Sequence, residues 1–251
     1  MKNIRLRKLI IIISFLLIPI TFIYISPVII ILDSAVGIIS GSFILFCILF
    51  LSSMFTGRIF CSWLCPGGGL QECMMPAASK SVKNNKLLHI IRHIIWVVWF
   101  GFIIFTAVSN GGYKTVNPLS HSYMGISLHT EGGAVYPIYF LVLAIVVVLT
   151  LLVGRRSFCH TICHMANFMV LGRKLGRILR LPCVHLKADS DKCIRCNKCS
   201  RVCPMSLDVE GMVKRNSMED SSCILCGDCT KECSKGIIKL AFCKPEHTNR
   251  K

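Results

Sequence analysis

Acidic residues are scarce in this chain. Its 251 residues include 12 Asp and Glu against 29 Lys and Arg, which gives a formal net charge of +17. Such a basic balance is typical of proteins that meet nucleic acid, a membrane surface or an acidic partner. Phosphate-cradling and dinucleotide-binding glycine motifs are missing, since Gly67-Gly68-Gly69 lacks their spacing and follows no predicted strand. We therefore expect no nucleotide-binding site. The positions of the charges along the chain indicate whether nucleic acid, a membrane surface or an acidic protein is the partner.

Charged residues are also missing from the middle of four long apolar runs, so a proton pump or ion carrier is not favoured. The chain is 53% hydrophobic with a mean hydropathy of +0.63, which is more apolar than a soluble domain. Each run is long enough to cross a hydrocarbon core of roughly 30 Å. No small-x-small cleavage site follows the first run, which we read as retained and kinked at Pro19. We predict four transmembrane helices over residues 9–32, 35–55, 90–108 and 135–153.

The basic residues predict the orientation of these spans. Every Lys and Arg except Lys114 lies before the first run, between the second run and the first turn of the third (Arg92), or after the fourth. Loops rich in Lys and Arg stay in the cytoplasm. We therefore predict a multi-pass protein of a bacterial or archaeal cytoplasmic (inner) membrane, with both termini inside and no nucleic acid partner.

A basic amphipathic stretch follows the fourth run, at residues 166–181, and Pro182 ends it. Apolar side chains alternate there with arginines and lysine at helical spacing, so we expect a helix lying flat on membrane lipid. A solvated charged face is the alternative. The predicted organisation is a four-span domain at 1–165, an interfacial helix and linker at 166–188, a cysteine-rich domain at 189–243 and a polar tail at 244–251.

Cysteines are abundant, at 16, and eight of them form two runs of C-x2-C-x2-C-x3-C. Three thiolates of each such run bind one [4Fe–4S] cluster and the fourth reaches the other cluster. Zinc sites pair cysteines in twos, and a disulfide framework does not use this spacing. The runs predict a small α+β two-cluster ferredoxin domain of the bacterial type. One cluster is assigned to Cys193, Cys196, Cys199 and Cys233, and the other to Cys203, Cys223, Cys226 and Cys229.

Four further cysteines belong to an internal repeat. Each unit reads G-R followed closely by F-C-x3-C, at the predicted cytoplasmic end of a two-helix hairpin, so the membrane part comprises two related hairpins. Cysteines four residues apart share one face of a helix. We hypothesise that the pairs meet and bind a further iron–sulfur centre or form a redox dithiol site; structural thiols are the alternative. The residues are Cys61, Cys65, Cys159 and Cys163.

Histidines in the predicted outer loop are candidates for proton transfer. His121 and His129 lie between the third and fourth runs, and an imidazole has a suitable pKa to accept protons when a quinol is oxidised. An ordinary solvent loop is the alternative reading.

With the runs and the repeat in place, the chain resembles the NapH/NosR-type membrane-bound [4Fe–4S] ferredoxin (polyferredoxin) family. The second repeat ends Cys163-His164, where the family pattern usually has proline, which suggests a separate branch. The resemblance implies electron transfer between the membrane quinone pool, such as menaquinone, and a partner redox protein or oxidoreductase subunit. The chain is then an electron-transfer protein or a subunit of quinol dehydrogenase type, with anaerobic life suggested by oxygen-labile clusters. The alternative is an accessory protein for assembly, metal reduction or redox regulation of another membrane oxidoreductase.

Overall fold

The computed structural model describes residues 2–78, 80–82, 86–121 and 135–244. Within these ranges the chain is mainly helical and carries two small sheets. The helices of the N-terminal part are α1 (Lys2–Leu16), α2 (Ile18–Ile25), α3 (Pro27–Ser34), α4 (Gly41–Thr56), α5 (Ile59–Trp63), α6 (Pro66–Cys73), α7 (Lys86–Ser109), α8 (Val135–Leu152), α9 (Ser157–Thr161) and α10 (His164–Ile178). The C-terminal helices are α11 (Lys198–Arg201), α12 (Val209–Lys214) and α13 (Asp228–Glu232). The strands are β1 (Ile38–Ser40), β2 (Thr115–Asn117), β3 (Cys183–Ala188) and β4 (Ile238–Cys243).

The first apolar run is broken twice. A bend of 82° separates Arg5–Leu16 from Ile18–Ile25, and Pro19 lies in the first turn of α2. A second break precedes Pro27, which begins α3. Proline lacks the amide proton of an interior helical residue, so each proline starts a new helix. The kink predicted near Pro19 is present, whereas the break at Pro27 was not predicted.

The helix lengths differ from the four predicted spans. Among the described residues one helix, Ile90–Ser109 of α7, is long and apolar enough to cross a membrane, with a mean hydropathy of 1.9; the bent pair of α1 and α2 is a second candidate. The helix of the second run has 16 residues, about 24 Å at a rise of 1.5 Å per residue. It begins late because Ile38–Ser40 form β1, which pairs in parallel with β2, and Ser40 caps α4 by accepting a hydrogen bond from the Phe43 amide.

The two repeat units pack across each other. Helices α4, α5 and α6 form the first unit, and α8, α9 and α10 form the second. The last helix of each unit lies against the first helix of the other, α10 on α4 and α6 on α8. The approach of α10 to α4 requires glycine, since a Cβ on Gly176 would lie 2.6 Å from the Met54 carbonyl oxygen. The repeat is therefore a single interlocked unit rather than two hairpins side by side.

Helix α10 corresponds to the predicted interfacial helix but is held in this bundle. Met165, Met169, Gly172 and Gly176 belong to its buried face, while Leu171, Ile178 and Leu179 remain exposed. Its position is therefore set by α4, and only its outer apolar residues are free to contact lipid.

The cysteine-rich part begins earlier than the predicted residue 189. Strand β3 pairs antiparallel with β4, from Cys183 opposite Cys243 to Ala188 opposite Ile238, so the segment read as linker is part of the domain. The short helices α11 and α13 each begin inside one cysteine run, and α12 lies between the runs. The core under the sheet includes the buried side chains of Leu186, Met205, Val213, Ile224 and Ile238.

Candidate metal centres

Two cavities in the C-terminal part are each lined by four cysteines. The cavity of about 410 Å³ is lined by Cys203, Cys223, Cys226 and Cys229. The cavity of about 360 Å³ is lined by Cys193, Cys196, Cys199 and Cys233. Three cysteines of each set come from one run and the fourth from the other. The structure thus brings together the two crossed sets that the spacing predicts.

The chemistry of these cavities fits an iron–sulfur cluster. Burial raises the pKa of Cys203 to about 11 and that of Cys229 to about 12, so these thiols keep their protons at neutral pH unless a metal replaces them. Apolar side chains including Leu186, Met205 and Ile224 complete the wall of the first cavity. Four sulfur donors in an apolar cavity are the ligand set of such a cluster.

The backbone turns around both cavities in the same way. Left-handed conformations recur at equivalent positions of the two runs, at Arg195 (φ 57°) and Asn197 (φ 55°) and at Leu225 (φ 55°) and Gly227 (φ 82°). One result is that the amide of Leu225 donates a hydrogen bond to the sulfur of Cys223. Such amide donors favour a charged sulfur, as a cluster ligand requires.

The cysteines of the repeat do not share a helix face, contrary to the prediction. Helix α5 ends at Trp63 and α9 ends at Thr161. Cys65 and Cys163 instead precede α6 and α10, with extended ψ angles of 116° and 110°. Proline at position 66 disfavours helical geometry in the residue before it, which ends the first helix here.

The four repeat cysteines nevertheless converge. Burial raises the pKa of Cys65, and the neighbouring thiols of Cys61, Cys163 and Cys159 raise it further. Cys61 and Cys159 are almost fully buried. Within the described ranges, no three His, Cys, Asp or Glu side chains are placed to share a single metal ion. The chain folds so that four soft donors from two repeat units lie close enough to interact electrostatically.

Each of the inner thiols contacts the opposite repeat unit. The amide Nε2 of Gln71, on α6, donates a 3.4 Å hydrogen bond to the Cys159 sulfur. The sulfur of Met169, at the equivalent position on α10, lies 3.6 Å from the Cys61 sulfur. The crossed helices therefore give the cysteine group a near-symmetric environment in which one side carries a hydrogen-bond donor.

The repeat arginines are buried on either side of this group. Arg156 forms a short ion pair with Glu72 and donates a 2.9 Å hydrogen bond to the Cys61 carbonyl. Arg58 has no carboxylate partner among the described residues, and its guanidinium interacts instead with the Cys61 sulfur. Burial lowers the pKa of Arg58, but the thiols of Cys61, Cys159 and Cys163 more than offset this and leave it raised. A buried cation without a carboxylate stabilises negative charge on these thiols.

Arg58 and a further buried arginine, Arg7, attach the C-terminal part. Arg58 Nη1 donates a 3.1 Å hydrogen bond to the carbonyl of Ser221. Arg7 of α1 pairs with Asp228 at 3.1 Å and with Glu72 at 2.7 Å. Both contacts flank the loop that lines the larger cysteine cavity. That cavity consequently adjoins the repeat units.

The outer-loop histidines divide into one that is described and one that is not. His121 Nε2 lies 3.0 Å from an oxygen of the buried Asp33, whose other oxygen accepts a 2.6 Å hydrogen bond from Ser120. Within the described part of the chain, His121 does not line the two cysteine cavities or the third cavity introduced below. His129 lies outside the described residues.

A third cavity was missed by the sequence reasoning. It spans about 1170 Å³ with its open mouth included, of which a water-sized molecule can reach about 260 Å³. Cys65, Cys163 and His164 border it among apolar side chains. Burial lowers the pKa of His164 to about 4, so the ring is neutral. The departure from proline at position 164 was the available signal, but only the fold shows where that ring lies.

Comparison with known proteins agrees with this architecture. A family described as "4Fe-4S binding domain" matches residues 41–85 and again residues 135–182, one match for each repeat unit. A family described as "4Fe-4S dicluster domain" matches residues 185–234. The ferredoxin-type protein NapH of Escherichia coli is 28% identical over 73% of this chain and 61% of its own length. The chain belongs to the NapH-type ferredoxin family.

Other relatives of this NapH-type ferredoxin include a methylamine utilization ferredoxin-type protein MauN of Methylobacillus flagellatus, 28% identical over 60% of this chain and 50% of its own. An uncharacterized protein of Methanocaldococcus jannaschii is 26% identical over 75% of this chain and 66% of its own. The chain thus spans between half and two thirds of these three relatives. No solved structure matches it. The family places the protein among iron–sulfur electron-transfer proteins and suggests an association with membranes.

Proposed function

We propose that this protein carries electrons between the quinone pool of a membrane and a partner redox protein, through two [4Fe–4S] clusters. One cluster is assigned to Cys203, Cys223, Cys226 and Cys229, and the other to Cys193, Cys196, Cys199 and Cys233. When bound, these groups supply one-electron carriers whose potentials depend on burial and on hydrogen bonds to sulfur.

The observation that carries the proposal is the attachment of the larger cysteine cavity to the repeat. Arg58 reaches Ser221 and Arg7 reaches Asp228, on either side of that cavity. A Cβ on Gly57 would lie 3.1 Å from the Leu225 side chain, so this glycine lets the cysteine loop sit directly on the G-R motif. The arrangement supports an ordered path from the repeat cysteines to the larger cavity and then to the smaller one.

The far end of this path faces outward. Around the cavity of Cys193, the side chains of Ile194, Arg195 and Lys198 are exposed. A basic rim with an exposed apolar residue suits the brief docking of an acidic redox protein. The buried larger cavity then serves as an internal relay, and the smaller one as the exchange point with the partner.

The proposal includes a further iron–sulfur centre at Cys61, Cys65, Cys159 and Cys163. Arg58 supports it, because a buried guanidinium without a carboxylate is costly unless an anion lies beside it. A cluster bound by four thiolates would be that anion. The match of a cluster-binding family to each repeat unit favours the same reading.

The proposal places α1–α2, α4, α7 and α8 across a cytoplasmic membrane, with the cysteine cavities on the inner side. The side chains of α7 support this, since Val98, Phe105 and Val108 are more than half exposed and a soluble protein rarely exposes so continuous an apolar surface. The distribution of Lys and Arg supports the orientation.

Anaerobic stopped-flow spectroscopy tests the proposal. The protein is purified in detergent with its clusters intact, and reduction of the clusters is followed after addition of menaquinol. We expect menaquinol to bleach the cluster absorbance rapidly in the wild type and not to bleach it in Cys61→Ser. Cys47→Ser, whose thiol is exposed on α4, should bleach at the wild-type rate.

Iron and sulfide contents accompany each variant. Iron matching three clusters in the wild type and two in Cys61→Ser is the expected result for a further centre; iron for two clusters in both proteins contradicts it. If a protein with full iron content exchanges electrons with no quinone, the electron-transfer proposal is refuted and the accessory function replaces it.

A further inference from the structure

The third cavity is enclosed by both repeat units and by the broken N-terminal run. Its wall contains Phe22 of α2, Pro27 of α3, Gly67 of α6 and Val142 of α8. The space in it that a water-sized molecule can reach is about 260 Å³, just below the volume of typical small-molecule sites, roughly 300–1,000 Å³. Almost every lining side chain is apolar, so the ligand must itself be largely apolar.

One imidazole is the main polar side chain in this wall. His164 packs on Trp99 with 5.0 Å between ring centroids, and the Trp99 indole is itself held by a 3.1 Å hydrogen bond to the Pro27 carbonyl. Within the described part of the chain, neither ring nitrogen of His164 has a hydrogen-bond partner. The ring is thus fixed in place with its hydrogen-bonding capacity available to a ligand.

This imidazole breaks the symmetry of the repeat. The equivalent residue of the first unit is Pro66, and both Pro66 and His164 occupy the first position of a helix. Proline is well suited to that position, so helix geometry does not explain the histidine. The cavity does, because a proline could not present a donor to it.

The cavity also connects the cysteines with an apolar surface. Cys65 and Cys163 belong both to its wall and to the repeat cysteine group. Val28, Ile138 and Ile145 line it and are 40%, 39% and 37% exposed, so they form its rim. Trp99 lies near the middle of the membrane-length segment Ile90–Ser109, which places the cavity at the depth of the hydrocarbon.

We infer that this cavity binds the ring and first isoprene units of a membrane quinone, with His164 donating a hydrogen bond to a ring carbonyl. The inference rests on the proposed function and locates its substrate site. A planar ring with two acceptors on an apolar tail matches an apolar chamber that has one imidazole at its inner end. The occupant enters through an apolar rim, as a lipid-soluble molecule must.

Photolabelling of the holoprotein in phospholipid nanodiscs tests the site. The probe is a short-chain menaquinone with a diazirine in its first isoprene unit, and labelled peptides are identified by mass spectrometry. We expect labelling on α8 or α2 that excess menaquinone suppresses. Gly67→Leu should reduce it at least tenfold, because a side chain there enters open space and fills the chamber without a clash.

Two further variants sharpen the test. Gly101→Leu also adds a side chain in open space, but on the exposed surface of α7, and should label like the wild type. His164→Pro restores the pattern of the first unit and should weaken labelling about tenfold, as the loss of one hydrogen bond does. Iron content is measured in every variant to confirm folding.

Three results overturn the inference. They are wild-type labelling in Gly67→Leu with full iron content, labelling confined to the segment around His121, and equal labelling of the cavity by a diazirine phospholipid that menaquinone does not displace. The proposed function fails separately. Cavity labelling without cluster reduction by menaquinol refutes quinone-linked electron transfer but supports the binding site. Cluster reduction by menaquinol without cavity labelling supports the electron transfer but refutes the binding site.

Discussion

The side-chain amide of Gln71 donates a hydrogen bond to the sulfur of Cys159 across the two repeat units. The equivalent residue on the other side, Met169, offers no donor to Cys61. In the near-symmetric cysteine group, a side-chain donor therefore reaches the sulfur of one inner cysteine but not of the other. If the group binds a cluster, this donor should affect its reduction potential.

Gln71→Met makes the two sides alike and removes the donor. A hydrogen bond to a ligand sulfur stabilises the more negative, reduced state, so the variant should show a lower reduction potential for the centre at these cysteines. Redox titration followed by electron paramagnetic resonance measures it. The signals of the two clusters in the C-terminal part serve as internal references and should not move; an unchanged third potential contradicts the role given to Gln71.

Arg58→Leu removes the cation beside the repeat cysteines and the donor to Ser221. We expect iron content to fall by the equivalent of one cluster, because the negative charge of the centre is then uncompensated. Arg155→Leu is the matched control, since Arg155 also bonds the C-terminal part, through the Arg201 carbonyl at 3.2 Å. Equal iron in both variants would show that Arg58 only attaches the domain.

Glu72→Gln tests the buried ion pairs that join α1, α6 and the second repeat. It leaves the buried guanidinium of Arg156 without a carboxylate and leaves Arg7 paired with Asp228 alone. Breaking a buried pair costs about 3–5 kcal/mol in the free energy of unfolding. Thermal unfolding of the anaerobic protein in detergent measures this cost. Glu210→Gln, which removes the partner of the exposed Lys214 in an i,i+4 pair, should cost less than about 1 kcal/mol.

The same residue predicts a pH dependence. Burial raises the pKa of Glu72, but Arg156 and Arg7 outweigh it, so the pKa lies below 4.5 in the folded protein. A carboxyl with a depressed pKa stabilises the fold above its unfolded pKa and loses that contribution as the pH falls through the folded value. The difference in unfolding temperature between wild type and Glu72→Gln should be full at pH 7 and shrink below pH 4.5. A difference that grows in acid would reverse the assigned sign.

Gly176→Ala tests the close packing of α10 on α4. The added Cβ meets the Met54 carbonyl at 2.6 Å, so we expect a loss of about 1–3 kcal/mol. Gly101→Ala, which meets nothing within 4 Å, should instead gain about 0.5–1 kcal/mol from helix propensity. Unfolding midpoints of the two variants provide the comparison, and similar values would argue against the tight crossing.

Labelling of introduced cysteines tests the orientation in the membrane. Lys114 and Lys235 are both exposed, on opposite sides of the predicted bilayer. A membrane-impermeant maleimide should label Lys114→Cys in intact cells and Lys235→Cys only after permeabilisation. The opposite pattern would place the cysteine cavities outside and exclude a cytoplasmic partner.

Several features could be read from the chain because short-range spacing controls them. The C-x2-C-x2-C-x3-C runs predict crossed cysteine sets, since a tight turn cannot bring the fourth cysteine back to its own group, and the cavities show these sets. The equal spacing of Cys61 to Cys65 and of Cys159 to Cys163 predicts the repeat. The position of Lys114 among apolar runs predicts a sidedness that labelling can check.

Other features depend on contacts between residues far apart in the chain, and only the tertiary structure decided them. The packing of α10 on α4, the bond from Arg58 to Ser221 and the chamber beside His164 each join segments whose local patterns carry no sign of one another. The helix-face pairing of Cys61 with Cys65 was wrong because Pro66 ends the preceding helical geometry. The strand at residues 183–188 becomes recognisable only when β3 is paired with β4. The sequence by itself determined that cysteine thiols are the ligands and how they are spaced. Long-range packing determined which side chains and which cavity lie next to those thiols.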